Sequence, residues 1–165
     1  MDAQGYITKL GLISHVEGGA FKEVYRADAK AVYPELMGHS KERNLCTSIY
    51  FLLQHGEFSA FHRIKSDELW HHYDGAVLHI YEIKPSGELG VHRLGKDLAN
   101  GEQMQTWIAA GSWFASRCEL ENNFALVGCT VAPGFDFEDF DLAQAAELTQ
   151  AFPEHAALIT TLCRL

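Results

Sequence analysis

The chain has 165 residues, 47% apolar and 21% charged, enough to bury one core and too ordinary in composition for a disordered or low-complexity segment. Its formal net charge of −9, with no unbroken run of Lys and Arg (Lys41-Glu42-Arg43 is interrupted by an acid), argues against nucleic acid as a partner. No stretch approaches the roughly 18 apolar residues of a membrane helix, and Met1–Gly5 lacks the basic-then-apolar pattern of a leader, so the expected setting is cytoplasmic.

Asp2 is placed to cap a helix that runs to Leu10. Gly18-Gly19 then breaks the chain, and His15-Val16-Glu17-Gly18-Gly19 reads as a backbone turn that needs glycine's freedom. Phe21–Arg26 alternates as a strand does. Residues 27–44 are polar with no clean period and read as a long surface loop. Eight strand-like runs follow: Cys46–Leu53, Phe58–Ile64, Glu68–Tyr73, Ala76–Ile83, Leu89–Leu94, Met104–Ala109, Trp113–Cys118 and Phe124–Val131. Leu142–Phe152 reads as a helix that Asp141 or Asp139 caps and Pro153 ends, and a second helix spans Ala156–Leu162. Short strands at near-regular spacing with helices only at the ends predict one all-β domain, an antiparallel sandwich or barrel. Cys46, Cys118, Cys129 and Cys163 lie far apart and are expected as free thiols, mostly buried.

Side chains two apart on a strand share a face. Alternation therefore puts His62 on one face with Phe58, Ala60 and Ile64, and Glu68 on one face with Trp70 and His72. An imidazole and a carboxylate brought into one cavity make a general acid/base, or the beginning of a metal site. Glu23 and Tyr25 share a face with Phe21 and are further ligand-binding candidates. Arg26 and Arg63 carry guanidinium forks that suit phosphate or carboxylate, although Arg63 alternates against His62 and so points outward. Phe135–Phe140 alternates aromatics with acids and is expected to dock on the barrel with its acids in solvent.

Five residues separate Gly56 from His62, five separate His62 from Glu68, and six separate Glu68 from Gly75. That spacing resembles the first metal motif of the cupins, with Ile64 where the second histidine falls. Ala109, Gly111 and Trp113 form a second half-motif, with Phe114 in the place of the last histidine. Three longer stretches, His15–Arg26, Phe61–His71 and Leu126–Phe140, together with Ser48–Leu53 and Ala110–Trp113, are similar to the small cupin-like branch known as cupin family 5. The chain departs from that family's pattern at Val16, Val24, Ala109 and Phe114.

The resemblance implies a double-stranded β-helix, the cupin jelly roll, with short N- and C-terminal helices, similar in fold to dTDP-sugar epimerases. It also implies a pocket for a small polar metabolite, sugar-like or nucleotide-sugar-like, with isomerase or epimerase chemistry. In that reading His62 is the base, Glu68 orients it, and Tyr50 or His72 supplies the opposing acid. Trp70, Trp113 and Phe114 join Glu23 and Tyr25 as ligand-binding candidates. No tightly bound cofactor is expected, because two of the four metal positions are apolar. The alternatives are a divalent metal held by His62, Glu68 and a neighbour such as His72, Tyr50 or His79, and a binding module without catalysis. A homodimer is the expected assembly, from the resemblance and because Phe124–Val131 and Cys46–Leu53 are apolar at both parities and need cover on both faces.

Overall fold

Alternation along the strands sorts the apolar side chains onto the inner faces of two opposed antiparallel sheets. The structure is a computed structural model that describes residues 1–33, 41–121 and 123–164. Its strands are β1 (Ile13–Ser14), β2 (Ala20–Arg26), β3 (Lys30–Val32), β4 (Glu42–Asn44), β5 (Thr47–Gln54), β6 (Phe58–Arg63) and β7 (Asp67–Gly75). They continue as β8 (Leu78–Ile83), β9 (Leu89–Leu94), β10 (Gln105–Ile108), β11 (Trp113–Cys118), β12 (Phe124–Ala132) and β13 (Asp141–Leu142). The helices are α1 (Ala3–Leu10), α2 (Ala145–Ala151) and α3 (Ala156–Leu162). One sheet has the order β1-β2-β5-β12-β7-β10 and the other β13-β6-β11-β8-β9, while β3 and β4 pair by themselves. This is the double-stranded β-helix expected from the sequence.

Between the sheets lies the main core, where Phe51, Trp70, Ile80, Leu94, Phe114 and Val127 are almost fully buried. The smaller sheet has its outer face covered by α2 and α3, which bury Leu148, Ile159 and Leu162 against Phe61, Ile83 and Ala115. Cover on the larger sheet is partial: α1 packs over Leu52 and Leu126, with Ala20, Tyr50 and Phe124 beside them. Asp2 caps α1 by accepting from the Gly5 N–H at 2.9 Å, and Gly11 closes it in the left-handed conformation at φ 66°.

Two expectations change. The polar stretch 27–44 is not wholly loop, because Lys30, Ala31 and Val32 pair with Asn44, Arg43 and Glu42; residues 34–40 lie outside the described part. The C-terminal helix does not begin at Leu142. Asp141 and Leu142 instead pair with Arg63 and His62 at the open edge of β6, where the sheet satisfies their backbone groups, and α2 starts at Ala145. Neither Asp139 nor Asp141 caps that helix; Gln144 precedes it without a side-chain bond, and Pro153 opens a short 3-10 turn leading into α3. The four cysteines are free, with Cys118, Cys129 and Cys163 buried. Among the described residues no helix is long and apolar enough to cross a membrane.

Two β-bulges set which side chains face inward. In β2, Glu23 pairs with Ile49 and Tyr25 with Ser48, so Val24 is the extra residue. In β7, His72 pairs with Val127 and Asp74 with Leu126, so Tyr73 is the extra one.

Candidate functional site

The inner ends of β2, β5, β6, β7 and β12 enclose a cavity of about 290 Å³. Its polar groups include His15, Glu17, His62, Glu68 and Cys129, set among Phe21, Ile49, Ile64 and Val131. Phe135, Phe137 and Phe140 close it from one side.

At its centre is a buried acid–imidazole pair. His62 Nδ1 lies 2.7 Å from the Ala60 carbonyl, which can only accept, so Nδ1 carries the proton of the neutral ring. That leaves Nε2 as a bare acceptor, 3.1 Å from Glu17 Oε2. Two acceptors do not approach so closely without a proton between them, so Glu17 and His62 share one. Burial decides where it rests. The imidazole is packed between Phe114 (centroids 4.1 Å apart) and Phe140 (5.4 Å), and burial lowers its pKa from 6.5 to about 4. Burial likewise raises the Glu17 pKa from 4.5 to about 7, although His15 and Ser59 pull it the other way. The proton therefore sits on Glu17, which donates to His62. The other Glu17 oxygen accepts from Ser59 Oγ at 2.9 Å. His15 Nδ1 accepts from the Glu17 backbone N–H at 3.3 Å, and burial lowers the pKa of His15 too.

Glu17 is not on a strand, and the turn that carries it is stitched down from several sides. Its carbonyl accepts from Ala60 N at 2.8 Å and from the Arg164 guanidinium at 3.1 Å, and Arg164 also reaches the Phe58 carbonyl at 3.3 Å. Gly18, at φ 119°, lies so close to β6 that a Cβ there would run into the Phe58 carbonyl. The glycine pair thus lets the turn lie flat on the sheet and holds the Glu17 carboxyl at His62.

Glu68 projects from β7 into the same cavity, 7% exposed. Burial is the main cause that raises its pKa to about 8, and the Glu17 charge adds to it. The Cys129 thiol and the Trp70 indole lie beside it and offset this in part, but the Trp70 N–H has no partner at hydrogen-bonding geometry. At the mouth, Arg26 grips Glu23 with two bonds of 3.0 and 2.7 Å and also reaches Asn44 Oδ1 and the Phe135 carbonyl.

The residues expected from the sequence are distributed as follows. His62, Glu68 and Glu23 line the cavity. Tyr25 does not: the Val24 bulge shifts the strand by one residue, so Arg26 takes the inward place and Tyr25 is 55% exposed. Tyr50 faces the outer surface of the larger sheet, edge-on to Tyr73 at 5.9 Å, because inward places on β5 belong to Thr47, Ile49, Phe51 and Leu53. His72 does point between the sheets, but farther along β7, where Nε2 meets the Ala76 carbonyl at 2.9 Å. Trp70 is core beneath the cavity, and Phe114 packs on the His62 ring. Trp113 lies outside, under the Arg63 guanidinium at 4.5 Å, and Arg63 points outward to Asp141. The acids of Phe135–Phe140 are not all in solvent: Asp139 is 5% exposed and receives two bonds from Arg43, at 2.6 and 3.1 Å. Sequence reasoning passed over His15 and Glu17 as catalytic groups, and the one available signal was a His-x-Glu pair beside Gly-Gly.

A resident metal does not fit these residues. Nδ1 of His62 is held by Ala60, so a metal would need Nε2, which already faces Glu17. Ile64 and Phe114 offer no donor, and among the described residues no three His, Cys, Asp or Glu are grouped to hold an ion.

Two opposed antiparallel sheets wound as a β-helix around a cavity at His62 and Glu68 are the architecture of a cupin. The chain belongs to the family described as "Cupin superfamily (DUF985)", whose model matches residues 4–143. It is 33% identical over 147 residues to the uncharacterized protein YML079W of Saccharomyces cerevisiae, which covers 82% of this chain and 72% of the yeast protein. Among solved structures it resembles a hypothetical protein from Leishmania major, 29% identical with a TM-score of 0.92 over the whole of both chains. It also resembles protein SO0799 from Shewanella oneidensis, 42% identical with a TM-score of 0.89 over 99% of this chain and 98% of that one. Oxalate decarboxylase from Bacillus subtilis, 15% identical with a TM-score of 0.54 over 90% of this chain and 36% of that one, shares the fold alone.

Proposed function

We propose that this cupin binds a small organic metabolite between its sheets and moves a proton on it, as isomerases and epimerases do. The Glu17–His62 pair is the proton carrier and Glu68 the second acid. The observation that carries this is the 3.1 Å contact between two buried groups that must share a proton, inside a cavity large enough for a small molecule. A shared proton can be given or taken with little movement. Glu68, with its pKa near 8, can act as acid or base around neutral pH. Glu17 thus takes the place beside His62 that the sequence suggested for Glu68, and neither Tyr50 nor His72 lines the cavity. The nucleotide-sugar end of the expected ligand range has the least support, since the one guanidinium lining the cavity is already bound to Glu23.

The test begins with a thermal-stabilisation screen of small metabolites, followed by NMR of each hit in D2O to detect exchange of carbon-bound protons. Wild-type protein is expected to catalyse exchange at one carbon. His62→Ala and Glu17→Gln are expected to lower that rate by about a hundredfold or more with far less effect on affinity. Hits that bind but show no exchange above the variants' level would leave a binding module without catalysis.

A further inference from the structure

Acids outnumber free cations around the cavity. Glu17 and Glu68 lie inside it, and Glu23 and Asp136 line it near the mouth. The sole guanidinium lining it, Arg26, is held bidentate by Glu23. His15 and His62 are kept neutral by burial, so among the described residues lining the cavity no unpaired positive charge remains to meet an anionic ligand. Glu68 is more than nine-tenths buried, and among the described residues no cation pairs with its carboxyl, which has only the Cys129 thiol and the Trp70 indole beside it. The same cavity is lined by an aromatic cluster: Phe135 and Phe137 lie 5.1 Å apart, Phe137 and Phe140 6.1 Å apart, and Phe21 meets His15 edge-on at 4.6 Å. Carboxyl groups and phenyl rings that line one small cavity suit an organic cation, because both the charge and the ring faces attract it.

We infer that the ligand is a small organic ammonium compound whose cationic nitrogen sits at Glu68 and whose apolar part lies against Phe135, Phe137 and Phe140. This rests on the reading of the cavity as the ligand site and narrows it to one chemical class. Binding is then an exchange: the ammonium enters with its charge, the Glu68 carboxyl gives up its proton to solvent, and the buried charge does not change. Glu17, His62, His15 and the Cys129 thiol are the other titratable groups facing that carboxyl, and burial holds each of them neutral or near it. A cavity of about 290 Å³ takes a benzyl- or phenethyl-sized amine.

Benzylammonium, benzyl alcohol and phenylacetate have similar size and different charge, so they serve as probes. Their binding is followed by calorimetry and by the His15 and His62 imidazole resonances, at about pH 7 where the Glu68 carboxyl still holds its proton. Benzylammonium is expected to bind at least about tenfold more tightly than the other two. Its heat should vary with the ionisation enthalpy of the buffer, reporting release of up to about one proton. Glu68→Gln should remove the preference and leave benzyl alcohol unchanged. If that variant does not fold, the buffer dependence of the wild-type heat decides alone. Equal or tighter binding of the alcohol or of phenylacetate would overturn the cation assignment while leaving the cavity a ligand site. Failure of all three to move either imidazole at millimolar concentration would overturn the ligand-site reading and this inference with it.

Discussion

Glu68 and Glu17 are acids that the fold keeps protonated, and this has a cost that depends on pH. Each has a pKa in the folded protein, about 8 and about 7, above the ordinary 4.5, so between those values the folded chain binds more protons than the unfolded one. Stability therefore falls as pH rises through that window. His62 runs the other way, since its pKa is lowered to about 4 from 6.5, but its contribution is complete above pH 6.5. Above that point the two carboxyls carry the fall, and the buried thiols, with pKa values raised by burial, add to it in the same direction at higher pH. Thermal melts are expected to show a Tm lower by about 5 °C above pH 8 than at pH 6.5, with Glu68→Gln removing much of the difference. A wild-type Tm that is flat or rising across that interval would contradict the assignment. His62 and Glu68 were each legible as cavity residues because their spacing and strand parity are written in the chain. Glu17 was not, because a turn residue has no periodicity and its partner, His62, is distant in sequence.

At the scale of elements, bulges and edges decide what parity alone cannot. One extra residue, Val24, exchanges Tyr25 for Arg26 at the cavity, and strict alternation from Phe21 has no means of registering it. The segment from Phe135 to Phe140 forms the aromatic wall because Arg43, on β4, anchors it through Asp139. Both side chains are nearly buried, at 8% and 5% exposure, so removing Arg43 leaves the Asp139 charge with only Lys65, 4.0 Å away. Arg43→Ala is expected to destabilise the protein by about 3 kcal/mol in chemical denaturation, and to loosen the wall so that probes bind more weakly. Unchanged stability would mean that Asp139 is not held by Arg43.

For the whole molecule, the two sheets are covered unequally. The smaller one carries α2 and α3, whereas α1 shields only one end of the larger. Tyr73 and Trp107 remain 43% and 58% exposed on its outer face. Gly128 is matched to this surface, because a Cβ there would run into the Tyr73 ring. We propose that a second copy of the chain covers this face, as the doubly apolar strands β5 and β12 suggested. Light scattering on eluting protein is expected to give twice the chain mass, and a mass of one chain at micromolar concentration would sink the proposal.

The sequence by itself determined the main strand runs, the presence of helical ends and the inward-facing His62 and Glu68, which follow from local periodicity and spacing along one chain. The family was legible through the resemblance of its longer motif stretches. Only the tertiary structure decided that Glu17, 45 positions before His62, shares its proton, that Arg26 replaces Tyr25 and that Asp141 joins a strand instead of capping a helix. Each of those outcomes depends on contacts between segments far apart in the chain, and on the desolvation they create, neither of which has any local signature.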